Sequence, residues 1–255
     1  MRPVRKLIAG ILALFLIPLA AHALIHASRN HPENFRQADW SSVGMLPAAD
    51  AAPEARLLVF TGRTGRWKGI FAVHSWIVFK PEGAAQWSRY DVVGWGNPVR
   101  SNGWPPDGRW YGDTPRVLVD VKGAAATALI PKVQTAIAAY RYNSRGHYRM
   151  WPGPNSNTFV ATVLRAVPEL ATTLPPNAIG KDFRDGLYAG PTDSGTGVEA
   201  SLYGVIGVKA GWIEGVELNV LGLVAGLDLR HPALKLPGFG RIGIDDGTAL
   251  AAPAK

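Results

Sequence analysis

The sequence predicts an α+β fold: an antiparallel sheet packed on helices, followed by a strand-rich C-terminal extension. Three observations carry this. Glycine and proline, 29 and 20 of 255 residues, are richer than in a helical bundle and favour turns and strands. Apolar side chains alternate two by two through 56–95 and again through 198–244, with turn residues between the runs. After the N-terminal run, helical spacing recurs only in the segments that begin near Leu129 and Ser156.

Taken in order, residues 1–30 open with Arg2, Arg5 and Lys6, continue apolar from Leu7 to Ala21, and end with His22, Ala23, Leu24 and Ile25. A charged start before such a run is the pattern of a secretory signal or of a membrane anchor, and Ala21-His22-Ala23 offers a cleavage site. Both readings carry the rest of the chain across a membrane, because the positive residues stay on the cytoplasmic side. The expected location is therefore the inner membrane with a periplasmic domain, or the exterior if the leader is cut. Residues 31–54, with Pro32, Pro47 and Pro53, read as a linker, and 55–244 as one α+β domain.

Within that domain, strands are expected at Arg56–Phe60, Ile70–Phe79, Ser88–Trp95 and Arg116–Val121, with 97–114 irregular. Helices are expected at Leu129–Tyr140, with Pro131 in the first turn, and from Ser156 or Asn157 to Val167. Val198–Ile244 reads as a strand meander, and the tail from Asp245 as disordered.

The chain has no cysteine, which excludes disulfides, thiolate metal sites and thiol nucleophiles. His31, His74, His147 and His231 are not spaced as ligand pairs, so neither a metal nor a cofactor is expected. Phosphate-loop, dinucleotide, zinc-protease and nucleophile-elbow motifs are missing from the sequence. The net charge of +8 is uneven. It divides into +4 in residues 1–30, +2 in 31–125, +5 in 126–168 and −3 in 169–255. Export and this local excess argue against nucleic acid and for an anionic envelope or lipid ligand, met by Arg141, Arg145 and Arg149.

Chemistry concentrates in two short motifs, His74-Ser75-Trp76-Ile77 on a strand and Asn155-Ser156-Asn157-Thr158-Phe159-Val160 at a helix start. They resemble the permuted papain-like superfamily, which includes NlpC-like and lecithin retinol acyltransferase-like enzymes. The resemblance implies a papain-like core over about 57–168, with Ser156 where that superfamily carries its cysteine. Ser156 would then be the nucleophile and His74 its general base, with the helix N–H groups as oxyanion hole. Asp91 would orient the histidine if the hairpin pairs residues whose numbers sum to about 165. A plain helix cap explains Asn155 and Ser156 equally, and a buried strand histidine explains His74. Asn155, Asn157, Trp76 and Trp95 stand near enough in this scheme to line a ligand site, with the other tryptophans of 67–110 as an apolar wall or simply core.

Two functions follow. One is a degenerate papain-like envelope protein that binds an anionic envelope or lipid ligand without catalysis. The other is an acyl or amide hydrolase or transferase built on Ser156 and His74. The whole chain also resembles an uncharacterised bacterial family defined only as domain of unknown function 3750. Oligomeric state leaves no mark in the sequence.

Overall fold

A computed structural model of the chain describes residues 2–243; the tail expected from Asp245 lies outside them. The N-terminal run forms one helix, α1 (Arg2–Ala27), long and apolar enough to cross a membrane. Residues 28–54 contain no helix or strand. They lie across one face of the first sheet, where Trp40 meets Trp110 edge-on at 5.1 Å and Ser42 Oγ donates to Asp107 at 2.6 Å.

That sheet contains β1 (Arg56–Arg63), β2 (Val73–Lys80), β3 (Ser88–Val92), β4 (Val99–Ser101) and β5 (Arg116–Lys122) in the order β4-β3-β2-β1-β5, every pair antiparallel. Strand β2 begins at Val73 rather than Ile70, because Arg66–Ile70 closes a turn of 3-10 helix. The stretch 97–114, expected to be irregular throughout, supplies the short edge strand β4.

Each β2 side chain is buried, so the two-residue alternation divides the strand between two cores. Val73, Ile77 and Phe79 join Leu57 and Val59 beneath two helices, α2 (Gly123–Ala138) and α3 (Ser156–Ala166). Trp76 and Val78 join Leu58, Phe60, Val93, Trp110 and Val117 on the opposite face. Helix α2 starts six residues before the expected Leu129, and Pro131 falls inside it. The run Ala124-Ala125-Ala126-Thr127-Ala128 has no amphipathic pattern, yet alanine is the strongest helix former and extends the helix backward.

The second sheet is a seven-stranded meander: β6 (Leu187–Pro191), β7 (Gly197–Leu202), β8 (Ile206–Gly211), β9 (Gly215–Val220), β10 (Leu223–Asp228), β11 (Ala233–Leu236) and β12 (Gly240–Gly243), paired in chain order. The two sheets and their helices make the α+β class that the sequence predicts. In this sheet the polarity of the two faces is reversed from the usual one. Inward residues include Glu199, Ser201, Lys209, Glu217, Asn219 and Lys235, all buried. Outward residues are Val198, Ala200 and Leu202 on β7, Ile206, Val208 and Ala210 on β8, and Val216, Leu218 and Val220 on β9. Helix α1 touches β10 and β11 of this sheet.

Burial of the inward charges is made tolerable by pairing. Lys181 Nζ lies 2.6 Å from Glu217, Lys209 Nζ 2.6 Å from Asp182, and Lys235 Nζ 2.6 Å from Glu217. Arg184 bridges Asp193 at 2.6 Å and Glu199 at 3.1 Å. Of the buried lysines, Lys181 and Lys209 are held above their ordinary pKa; burial opposes their charge, and the surrounding carboxylates outweigh it.

Candidate functional site

The strand alternation separates the two residues on which catalysis would rest. Ser75, not His74, points to α3: its Oγ donates to Asn157 Oδ1 at 2.8 Å and lies 3.5 Å from the Ser156 carbonyl. His74 points to the tryptophan face, stacked on Trp110 with ring centroids 3.6 Å apart. The expected Ser156–His74 pair is therefore corrected: the sheet lies between the imidazole and the start of α3. Among the described residues the Ser156 hydroxyl makes no hydrogen bond.

The start of α3 is built as a latch. Asn155 Oδ1 accepts from the N–H groups of Asn157 at 2.9 Å and Thr158 at 3.1 Å, while Thr158 Oγ1 accepts from Asn155 N at 3.1 Å. This capping box consumes N–H groups that an oxyanion hole would need. Asn157 Nδ2 donates to the carbonyls of Val73 and Ile179 at 2.9 and 2.8 Å, tying the helix to β2 and to the chain beyond it. Asn155 Nδ2 donates to Met150 and Ile179, both at 3.0 Å. The side-chain groups of Asn155 and Asn157, expected to face a ligand, are thus bonded to protein.

His74 does meet Asp91, with Nε2 2.8 Å from Oδ1. The register differs from the expected one: Ile77 pairs with Tyr90, so residue numbers sum to 167, and Asp91 lies diagonally from His74. A shift of two residues preserves the face, which is why the contact survives. Arg89, two residues before Asp91 and on the same face, donates to it from Nε at 2.7 Å and Nη2 at 3.0 Å, and from Nη1 to the Pro105 carbonyl at 2.6 Å. Its guanidinium lies 4.2 Å from the Trp76 ring. Burial opposes ionisation of Asp91, but the Arg89 charge and the hydrogen bonds from His74 and Arg89 outweigh it and hold the carboxyl low. Burial pushes the His74 imidazole down, only partly offset by Asp91, so the ring is neutral at pH 7. A neutral ring facing a carboxylate carries its proton on Nε2. The cluster fixes the 104–110 loop to the sheet.

The tryptophans follow the same division. Trp76 is fully buried, parallel to Phe60 at 5.5 Å, and belongs to the core rather than to an open wall. Trp95 is 54% exposed, and packs edge-on against Phe35 at 5.9 Å.

The basic segment also looks different in space. Lys132 pairs with Glu169, Arg141 with Asp185, and Arg165 with Asp193 at 3.2 Å, so three of its five cations have carboxylate partners from the acidic C-terminal third. Arg141, Arg165, Arg184, Tyr140 and Tyr142 line a cleft of about 270 Å³, but each of these arginines is ion-paired there. Arg145 and Arg149 remain, both exposed on the loop between α2 and α3 and neither with a side-chain partner among the described residues. Among the described residues no group of three or more histidine, aspartate or glutamate side chains could hold a metal.

Sequence reasoning missed Ser75 and Thr158. The signals were present: Ser75 alternates with His74, and Asn155-x-x-Thr158 is a capping-box spacing.

An apolar N-terminal helix, a five-stranded sheet under two helices and a helix start locked by asparagines define an α+β protein in which Ser156 and His74 lie on opposite sides of the sheet. The chain belongs to the family described as Protein of unknown function (DUF3750), whose model matches residues 54–183, from just before β1 to Phe183. No curated protein and no solved structure matches the chain.

Proposed function

We propose that this chain is a non-catalytic envelope protein, tethered to the inner membrane by α1 with its domain on the periplasmic side, which holds an anionic headgroup through Arg145 and Arg149. Arg2, Arg5 and Lys6 ahead of the apolar run support the orientation. The likeness to a papain-like scaffold rests on α3 laid with its Asn155-Ser156 start against β2; in this reading the scaffold is degenerate, since Ser156 has no base and the capping box takes the helix N–H groups.

The observation that carries ligand binding is the pair of guanidinium groups on one loop that have no partner among the described residues, in a segment whose other cations are neutralised. That loop reaches the second sheet, where Trp151 Nε1 donates to the Leu221 carbonyl at 2.9 Å. The test is the full chain in nanodiscs with a fluorophore at His147→Cys, between the two arginines. Replacing neutral lipid by phosphatidylglycerol is expected to shield the label from aqueous iodide, and Arg145→Gln with Arg149→Gln is expected to abolish the shielding. A response to inorganic phosphate over neutral lipid would assign the anion to solution instead. Equal response with and without both arginines would refute the reading.

A further inference from the structure

Every outward-pointing residue of β6 to β12 is apolar, and most of that face is uncovered. Leu187 is 78% exposed, Val198 68%, and Ile206 and Val208 54% each. The hydrophilic partners of these residues point inward into the ion-paired interior. A soluble antiparallel sheet alternates the other way, with polar side chains toward water. Apolar outside and polar inside is the pattern of a sheet whose outer solvent is hydrocarbon.

We propose that this face rests in the acyl-chain region of one bilayer leaflet, beside α1. Continuity is the first argument. Helix α1, itself apolar, touches β10 and β11, and Ala225 on the outward face of β10 is only 1% exposed. Away from those strands the same face is open. Composition is the second. Interfaces between protein copies carry a polar rim around an apolar centre, whereas here the outward residues stay apolar to both edge strands, at Leu187 on β6 and Ile242 on β12. The turns give the third: Trp212 at one end of the strands and Tyr203 at the other are exposed at 62% and 50%, the placement of aromatic side chains at a membrane interface. Strand length decides the depth. The six-residue strands β7 to β10 extend about 20 Å, against the roughly 9–11 residues a spanning strand needs, so the sheet lies on a leaflet and does not cross.

The proposal is separate from the anionic reading, because it concerns the second sheet and requires no charge. The chain has no cysteine, so an introduced one is unique. A fluorophore is placed at Leu187→Cys, Val208→Cys or Ile242→Cys, with Glu82→Cys in the exposed turn between β2 and β3 as reference, in the full chain reconstituted into phosphatidylcholine vesicles. Far-UV circular dichroism confirms that each labelled protein is folded. The three outward positions are expected to lose at least about half their emission to doxyl-labelled lipid and to be spared by aqueous iodide, with Glu82→Cys showing the reverse. Quenching of the outward positions by iodide would overturn the proposal by placing the face in water. Protection from both quenchers would overturn it equally, because a second copy or another protein would then be the cover.

Discussion

Replacing Asn157 by alanine removes three hydrogen bonds at once, from Ser75 Oγ and to the carbonyls of Val73 and Ile179. Ile179 keeps the bond from Asn155 Nδ2, while the Val73 carbonyl loses its side-chain donor and the Ser75 hydroxyl keeps only its long 3.5 Å contact with the Ser156 carbonyl. At about 1–3 kcal/mol for each buried group left unpaired, Asn157→Ala should cost about 3 kcal/mol. For a chain of this size that lowers Tm by about 6–12 °C. Ser156→Ala removes a hydroxyl that bonds nothing and should cost less than about 1 kcal/mol. The assay is thermal and urea unfolding of the full chain in detergent micelles, followed at 222 nm. Equal costs for the two substitutions, or a larger cost for Ser156→Ala, would refute the view that Asn157 holds α3 to the sheet while Ser156 is idle.

Two further predictions concern the ionic interior of the second sheet. Lys209→Met leaves Asp182 without one of its two cations and should destabilise the chain by about 3–5 kcal/mol, read by the same unfolding curves. Stability should also fall in acid. Burial alone would raise the Asp193 carboxyl, but Lys209, Arg165 and Arg184 outweigh it and hold the pKa at about 2 against an ordinary 3.8. A depressed carboxylate stabilises the fold above its unfolded value and loses that contribution as pH drops through its folded value. Asp193 should therefore contribute about 2–3 kcal/mol at neutral pH, lost between about pH 4 and 2. Burial raises Glu199, whose contribution runs the other way, but in the window above its ordinary 4.5 and so outside this slope. Asp193→Asn should flatten the pH dependence in that window.

The fold class was legible because alternation and helical spacing are local properties, and β1, β2, β5 and α3 appear close to where the pattern places them. The start of α2 was not, since its alanines carry propensity without a face. The site was legible by half. His74 and Asp91 meet although the register differs by two, because parity and not register decides the face of a strand. Parity also removes Ser156 from His74, and that depends on which side of β2 the helix packs, a tertiary fact with no local signature. The neutralisation of Lys132, Arg141 and Arg165 had the same origin: their carboxylates come from Glu169, Asp185 and Asp193, which a segment-by-segment charge count assigns to another region.

The central claim is that His74 belongs to Asp91 and Arg89 and has no part in a site at Ser156. Nitrogen-15 NMR of the His74 imidazole in the full chain tests it most directly, with the resonances assigned by His74→Gln. The account predicts a neutral ring protonated on Nε2 at pH 7, titrating below its ordinary value, and shifted by Asp91→Asn but unmoved by Ser156→Ala. Imidazole shifts from Ser156→Ala as large as those from Asp91→Asn would contradict it and restore the serine–histidine pair.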